Sequence, residues 1–244
     1  MNTKYNNWFD SKYYHILYKN RNHQEAREFI KKLIKHLKLK KKSKVLDAGC
    51  GKGRHSIEIE KLGHIVTGID LSKNSIKFAK KYENSNLNFI VHDISKPLNM
   101  EFDAVLNLFT SFGYYEREKD LEILLSLQKN LNINGVGVID FFNIKNVKDN
   151  LIKKEEVILE NIQFNIKRKI DKHLVTKEIS FIDNNIDFKF KESVNTLSII
   201  DFKNYFKKTN LEIIQLFGDY DLNKFNKDKS PRLIIIFKKK SQSN

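Results

Sequence analysis

Apolar residues in this chain keep a period near 3.6 in some stretches and a period of two in others. Ala26, Phe29, Ile30, Leu33, Ile34 and Leu37 recur at intervals of three and four, which places them on one stripe of a helix of about four turns. Asn22 precedes this stripe with Glu25 three residues on, as in a capping box. From residue 44, short apolar runs alternate with amphipathic stretches. The pattern predicts strands at 44–48, 65–70, 88–91, 102–108 and 136–141. Helices are predicted at 54–62, at 72–82 with Ser72 as cap, and at 117–131. Leu121, Leu124, Leu125 and Leu131 are expected on one side of the last of these, and Asn134-Gly135 as a turn into the fifth strand. Repeated βα units of this kind predict a parallel sheet covered on both faces.

The period then changes. Ile162, Phe164, Ile166 and Ile170 alternate with polar residues, as do Val175, Ile179 and Phe181, and then Ile186, Phe188 and Phe190. Polar turns separate the three runs, so the reading is a three-stranded antiparallel meander over 157–190. Ser198 caps a last helix bearing Phe202, Tyr205 and Phe206, and Asn210 occupies its left-handed stop. Strands at 211–217 and 233–238 close the chain, and only the last four residues read as loose. Tyr5, Trp8, Phe9, Tyr13, Tyr14 and Tyr18 make the first twenty residues aromatic-rich.

With 244 residues and 40% apolar positions, one large domain with a sizeable core is expected. Its parts are a helical cap (1–42), a core (43–145), a β insertion or lid (146–197) and a closing helix with two strands (198–240). No apolar run is long enough for a signal peptide or a membrane helix. Cys50 is the sole cysteine, which excludes an internal disulfide. The chain is therefore expected to be cytoplasmic. A net charge of +15 raises the question of nucleic acid. The excess is lysine, however, with six arginines in all, and arginine is the residue suited to bidentate phosphate contacts. Abundant Asn and Ile beside scarce Gly and Pro point to compositional bias, so a solvated lysine surface is favoured. The histidines show no metal-ligand spacing.

The strand at 44–48 runs into Asp47-Ala48-Gly49-Cys50-Gly51-Lys52-Gly53, and the next strand ends on Asp70. Glycines at this spacing let the backbone turn off a strand and pass close to a ligand. The acid at 70 stands where α/β folds place a carboxylate for a ribose. A dinucleotide fingerprint would need a third glycine at position 54, which is Arg. The carboxylate of Asp47 repels phosphates and suits a cationic amine. S-adenosylmethionine has that amine, no phosphate, and two free ribose hydroxyls.

At these residues the chain resembles the class I S-adenosylmethionine-dependent methyltransferases. The matching segments are 45–53, Gly68-Ile69-Asp70-Leu71-Ser72, His92-Asp93-Ile94, Phe102-Asp103-Ala104-Val105, and the turn into 136–140. The resemblance spans residues 43–145 and implies a Rossmann-like sheet, mostly parallel with an antiparallel last strand. It places Gly49, Cys50, Gly51 and Gly53 under the methionine and ribose, with Asp47 near the amino group. Asp70 would accept the ribose hydroxyls and Leu71 pack on the adenine. Asp93 would take the adenine amine, with His92 beside it and Ile94 on the ring. Asn107 and Leu108 would face the methionine end, as would Tyr14 (or His15 or Tyr18) from the cap. Cys50 otherwise simply packs, and Asp47 can also hold the loop amides.

Methyl transfer from a sulfonium needs alignment of the nucleophile and exclusion of water, so no catalytic triad or metal is required. The segment Asn107-Leu-Phe-Thr-Ser-Phe-Gly-Tyr-Tyr115 resembles one found in small-molecule members of the family. Its Tyr114 and Tyr115 are the candidates for positioning substrate beside the sulfonium. His55 either caps its helix or approaches the reacting centre. The expectation is methyl transfer to N or O of a small molecule by a monomer or homodimer. The alternatives are a tRNA or rRNA methyltransferase using the lysines between 31 and 44, and a non-catalytic cofactor-binding partner.

Overall fold

The computed structural model describes residues 8–19 and 23–240. The expected cap at Asn22, Tyr5 and the last four residues lie outside them. The N-terminal helices are α1 (Lys12–Leu17) and α2 (His23–Leu37). The core then runs β1 (Lys44–Ala48), α3 (Arg54–Lys61), β2 (Ile65–Asp70), α4 (Lys73–Ala79), β3 (Leu87–Val91), β4 (Phe102–Asn107), α5 (Arg117–Asn130) and β5 (Leu131–Phe142). A short helix, α6 (Ile144–Asp149), leads to β6 (Lys154–Leu159), β7 (Ile162–Ile170), β8 (Leu174–Asp183) and β9 (Ile186–Asn195). The chain closes with α7 (Ile199–Lys208), β10 (Leu211–Phe217) and β11 (Arg232–Lys239).

The main sheet has seven strands in the order β10-β11-β5-β4-β1-β2-β3. β1 pairs in parallel with β2 and β4, and β11 runs antiparallel to β5 and β10. The sheet has one apolar layer on each face because its strands alternate. Val45 joins Phe29, Ile30, Leu33, Ile57 and Ile76 from α2, α3 and α4. Leu46 and Ala48 join Ile123, Leu124, Leu127, Phe202 and Phe206 from α5 and α7. Each such side chain contributes about 1.5–3 kcal/mol by leaving water. Chain order reverses at β1, with β2 and β3 to one side and β4 and β5 to the other. Crevices at the carboxyl ends of strands open at such a reversal.

The β insertion is a separate four-stranded antiparallel sheet, β6-β7-β8-β9, not the expected three strands. β6 is the strand missed in the sequence. It lies at an edge, and its Val157 and Leu159 alternate with Glu156 and Ile158 at only partial burial. α6, capped by Asn143, was also not anticipated. Two further expectations are corrected. Asn134-Gly135 does not precede β5. The strand begins at Leu131, and the residues between Leu131 and Val136 bulge opposite Phe102–Ala104 of β4. Leu125 faces solvent, and the buried face of α5 carries Asp120, Ile123, Leu124 and Leu127 instead. The inner face of the insertion packs Phe164, Phe181 and Ile179 against Trp8 and Tyr13 of the N-terminal segment. Among the described residues, no helix is long and apolar enough to cross a membrane.

Candidate active site

Two loops meet at the reversal point, one after β1 and one after β4. In the first, Gly49 and Gly51 have φ of +85° and +55°, a region that L side chains enter only at a cost. A Cβ on Gly49 would stand 2.6 Å from Ser111 Cβ, so glycine is needed for the two loops to touch. A Cβ on Gly51 would meet nothing within 4 Å, because that residue faces the cavity. Asp70, at the end of β2, fixes the loop: Gly51 N donates to its Oδ2 and Ser72 N to its Oδ1, both at 2.8 Å. Burial pushes the Asp70 carboxyl above its ordinary range.

The cavity so formed has a volume of about 710 Å³. Gly49, Cys50, Gly51, Asp70, Leu71, Ile94, Leu108, Tyr14, Tyr114 and Tyr115 all line it, so these candidates come together from segments spread over the chain. The N-terminal segment forms the opposite wall. Phe9 meets Tyr114 edge-on at 5.2 Å, Tyr14 packs on Phe9 and Tyr18, and Tyr18 approaches Phe109. Asp10 anchors that segment by accepting from Ser72 Oγ, from Asn74 N at 3.0 Å and from Asn74 Nδ2 at 2.8 Å. Burial, reinforced by the Lys52 ammonium, lowers His15 to a pKa of about 4, so its ring on the cavity wall is neutral.

Five further candidates do not line this cavity. Asp47 is buried beneath the loop, where Ser56 Oγ donates to its Oδ2 at 2.6 Å. Burial, and secondarily the charge of Asp70, raises its pKa to about 6. Gly53 is the N-cap of α3 and faces the Phe89 ring. His92 turns its ring to the Lys96 carbonyl at 2.8 Å. Asp93 accepts from Ser95 N and Oγ. Asn107 donates from Nδ2 to the Ala48 carbonyl at 2.7 Å, which leaves its buried Oδ1 without a hydrogen-bond partner. Cys50 lines the cavity, but burial pushes its thiol well up, so the side chain is an inert wall.

Sequence reasoning missed Asp10, Lys52, Arg54, Phe78 and Phe109, all on the wall. Arg54 was legible in principle, since it directly follows the glycine loop. Its guanidinium lies 4.7 Å over the Phe109 ring, and its buried Nη1 pairs with Glu25 Oε1 at 3.5 Å. A guanidinium on the wall and the Asp70 carboxylate beside a glycine cradle fit a zwitterionic amino acid joined to a nucleoside. Among the described residues, no cluster of His, Cys, Asp and Glu would hold a metal ion.

Residues 39–197 match the model of a methyltransferase domain. The chain belongs to that family. The methyltransferase domain is similar over 100 residues, at 34% identity, to "Probable S-adenosyl-L-methionine-dependent methyltransferase TehB" of Haemophilus influenzae (strain 10810). The match covers 39% of this chain and 35% of that protein, so it spans about a third of the relative's length. The fold is similar to a crystal structure of an S-adenosylmethionine-dependent methyltransferase from Clostridium acetobutylicum ATCC 824. That likeness has a TM-score of 0.79 at 19% identity, over 94% of this chain and 96% of the other. It is also similar to S-adenosylmethionine-bound CalS10, an amino pentose methyltransferase from Micromonospora echinaspora. There the TM-score is 0.71 at 16% identity, over 93% and 96% of the two chains.

Proposed function

We propose that this methyltransferase domain binds S-adenosylmethionine in the cavity above Gly49–Gly51 and transfers its methyl group to an N or O atom of a small-molecule acceptor. The observation that carries the reading is the continuity of one cavity from the glycine cradle and Asp70 to Tyr114 and Tyr115. Asp70 would hold the ribose, because each of its oxygens keeps a lone pair after serving one loop amide. Arg54, which lines the cavity, would take the carboxylate through its guanidinium. The bound group supplies an electrophilic methyl on a sulfonium, which departs as a neutral thioether. The chain's own residues align the acceptor and keep water out. Phe9, Tyr14, Tyr18, Phe109, Tyr114 and Tyr115 present ring surfaces to a cation and exclude solvent.

A small acceptor is favoured because the N-terminal segment walls the cavity with Phe9, Tyr14 and Tyr18, and because a similar fold acts on an amino pentose. The lysines of α2 point elsewhere: Lys32 pairs with Asp221 of the β10–β11 connection, and Lys31 and Lys35 are exposed. The test is release of S-adenosylhomocysteine with amine- or hydroxyl-bearing metabolites against the same assay with bulk tRNA. Turnover with metabolites, weakened more than cofactor binding by Tyr114→Ala or Tyr115→Ala, supports the proposal. Turnover with tRNA alone overturns it.

A further inference from the structure

Phe109 and Thr110 are consecutive non-glycine residues in the left-handed region, with φ of +56° and +57°. Such backbone persists only where its surroundings over-determine it, and here the surroundings converge on one side chain. Asp140, wholly buried on β5, accepts from Phe109 N at Oδ2 (2.8 Å), while its own carbonyl accepts from Thr110 N (2.9 Å). Tyr220 donates to the same Oδ2 at 3.1 Å. Arg232, on β11, donates from Nε to Asp140 Oδ1 at 2.8 Å and from Nη2 to Thr110 Oγ1 at 2.9 Å. Every polar atom of the left-handed pair except the two carbonyls is thus held by the Asp140–Arg232 unit.

The consequence reaches the cavity through Phe109. Its backbone conformation sets the direction of its ring, and the Arg54 guanidinium lies on that ring at 4.7 Å. Among the described residues, Arg54 also pairs with Glu25, whose Oε1 stands 3.5 Å from Nη1. We infer that Asp140 and Arg232 are positioning residues for cofactor recognition. They hold Phe109–Thr110 in a strained turn whose ring aims Arg54 at the amino-acid end of the ligand. The inference rests on the reading that the cofactor lies with its carboxylate toward Arg54.

The test compares two ligands by calorimetry, S-adenosylhomocysteine and 5′-methylthioadenosine, which lacks the amino-acid end. The wild-type protein is expected to prefer S-adenosylhomocysteine, and Arg54→Met to abolish that preference. If Arg54→Met leaves the preference intact, the orientation is wrong and the inference goes with it. Given that orientation, Asp140→Asn should weaken S-adenosylhomocysteine by about tenfold or more, the scale of a hydrogen bond to a charged group, while leaving 5′-methylthioadenosine within about twofold. Thr110→Gly relieves the backbone strain, so adding it to Asp140→Asn should restore part of the loss. Thr110→Val, which removes only the Arg232 contact, gives the same selective pattern at smaller size if Asp140→Asn fails to fold. Equal weakening of both ligands, or of neither, overturns the inference.

Discussion

The indole of Trp8 donates from Nε1 to Glu192 Oε2 at 3.0 Å and so joins the start of the cap to the last strand of the β insertion. Tyr18 donates to the other oxygen of Glu192 at 2.9 Å, and Lys177 Nζ lies 3.3 Å from that oxygen and donates to the Tyr18 hydroxyl. All four side chains are largely sequestered from water, so the network holds the cap over the cavity at the cost of burying a charge pair. Removing one partner should be worse than removing both. Glu192→Ala is expected to destabilise the protein by about 3 kcal/mol or more. The pair Lys177→Met with Glu192→Leu should cost clearly less. Urea midpoints check the order, and the reverse order contradicts it.

Asp70→Ala removes the acceptor of both Gly51 N and Ser72 N and the proposed ribose ligand together. Affinity for S-adenosylhomocysteine should drop by about two orders of magnitude, since a charge-assisted hydrogen bond contributes about 1.5–3 kcal/mol. Unfolding temperature should change far less, because the loop lies at the surface of the sheet. Undiminished binding in a calorimeter would remove Asp70 from the site.

Asp120 supplies a pH signature. Burial raises its pKa to about 7, against the pull of the Asn195 amide and the Arg117 guanidinium. Its Oδ2 accepts from Asn195 Nδ2 at 2.8 Å, while Oδ1 is buried without a hydrogen-bond partner. The folded state therefore holds the proton more tightly than the unfolded chain. The stabilising contribution is complete below the unfolded value near 4 and is lost as pH rises through about 7. Asp47, raised to about 6, acts in the same direction. Asp120→Asn should flatten the decline in unfolding temperature between pH 4 and 8, and an unchanged slope would assign that decline elsewhere.

Asn210 ends α7 with φ of +51°, and its carbonyl accepts from Lys240 N at 3.0 Å. Glycine tolerates that conformation and alanine does not. Asn210→Ala should destabilise by about 1 kcal/mol and Asn210→Gly by a few tenths at most. The comparison needs only denaturant midpoints, and equal effects of the two would mean that the left-handed backbone is not what costs.

Much of the fold was legible because the signals are local. β1, β2 and β10 fall at the residues predicted, and Ser198 and Asn210 stand at the two ends of α7 as their side-chain chemistry requires. β6 escaped because an edge strand buries little, and its glutamates mask the alternation. α5 was placed correctly, but its buried face was not. A stripe of leucines does not say which neighbours stand nearby, and Asp120 took a core position by bonding Asn195 across the structure.

At the site, the parts made by short-range rules are legible in the order of residues. These are the glycine cradle, the acid that ends β2, and the aromatic loop after β4. Long-range packing sets which residues face the cavity. It turned His92 and Asp93 aside, sank Asp47 beneath Ser56, and brought in Asp10, Arg54 and Phe109. It also joined Trp8 to Glu192 and Asp140 to Phe109. A backbone turn needs a few adjacent residues, and their chemistry is written in order. A cavity wall depends on strand order and on which of two faces each side chain takes, and those follow from packing the whole chain at once.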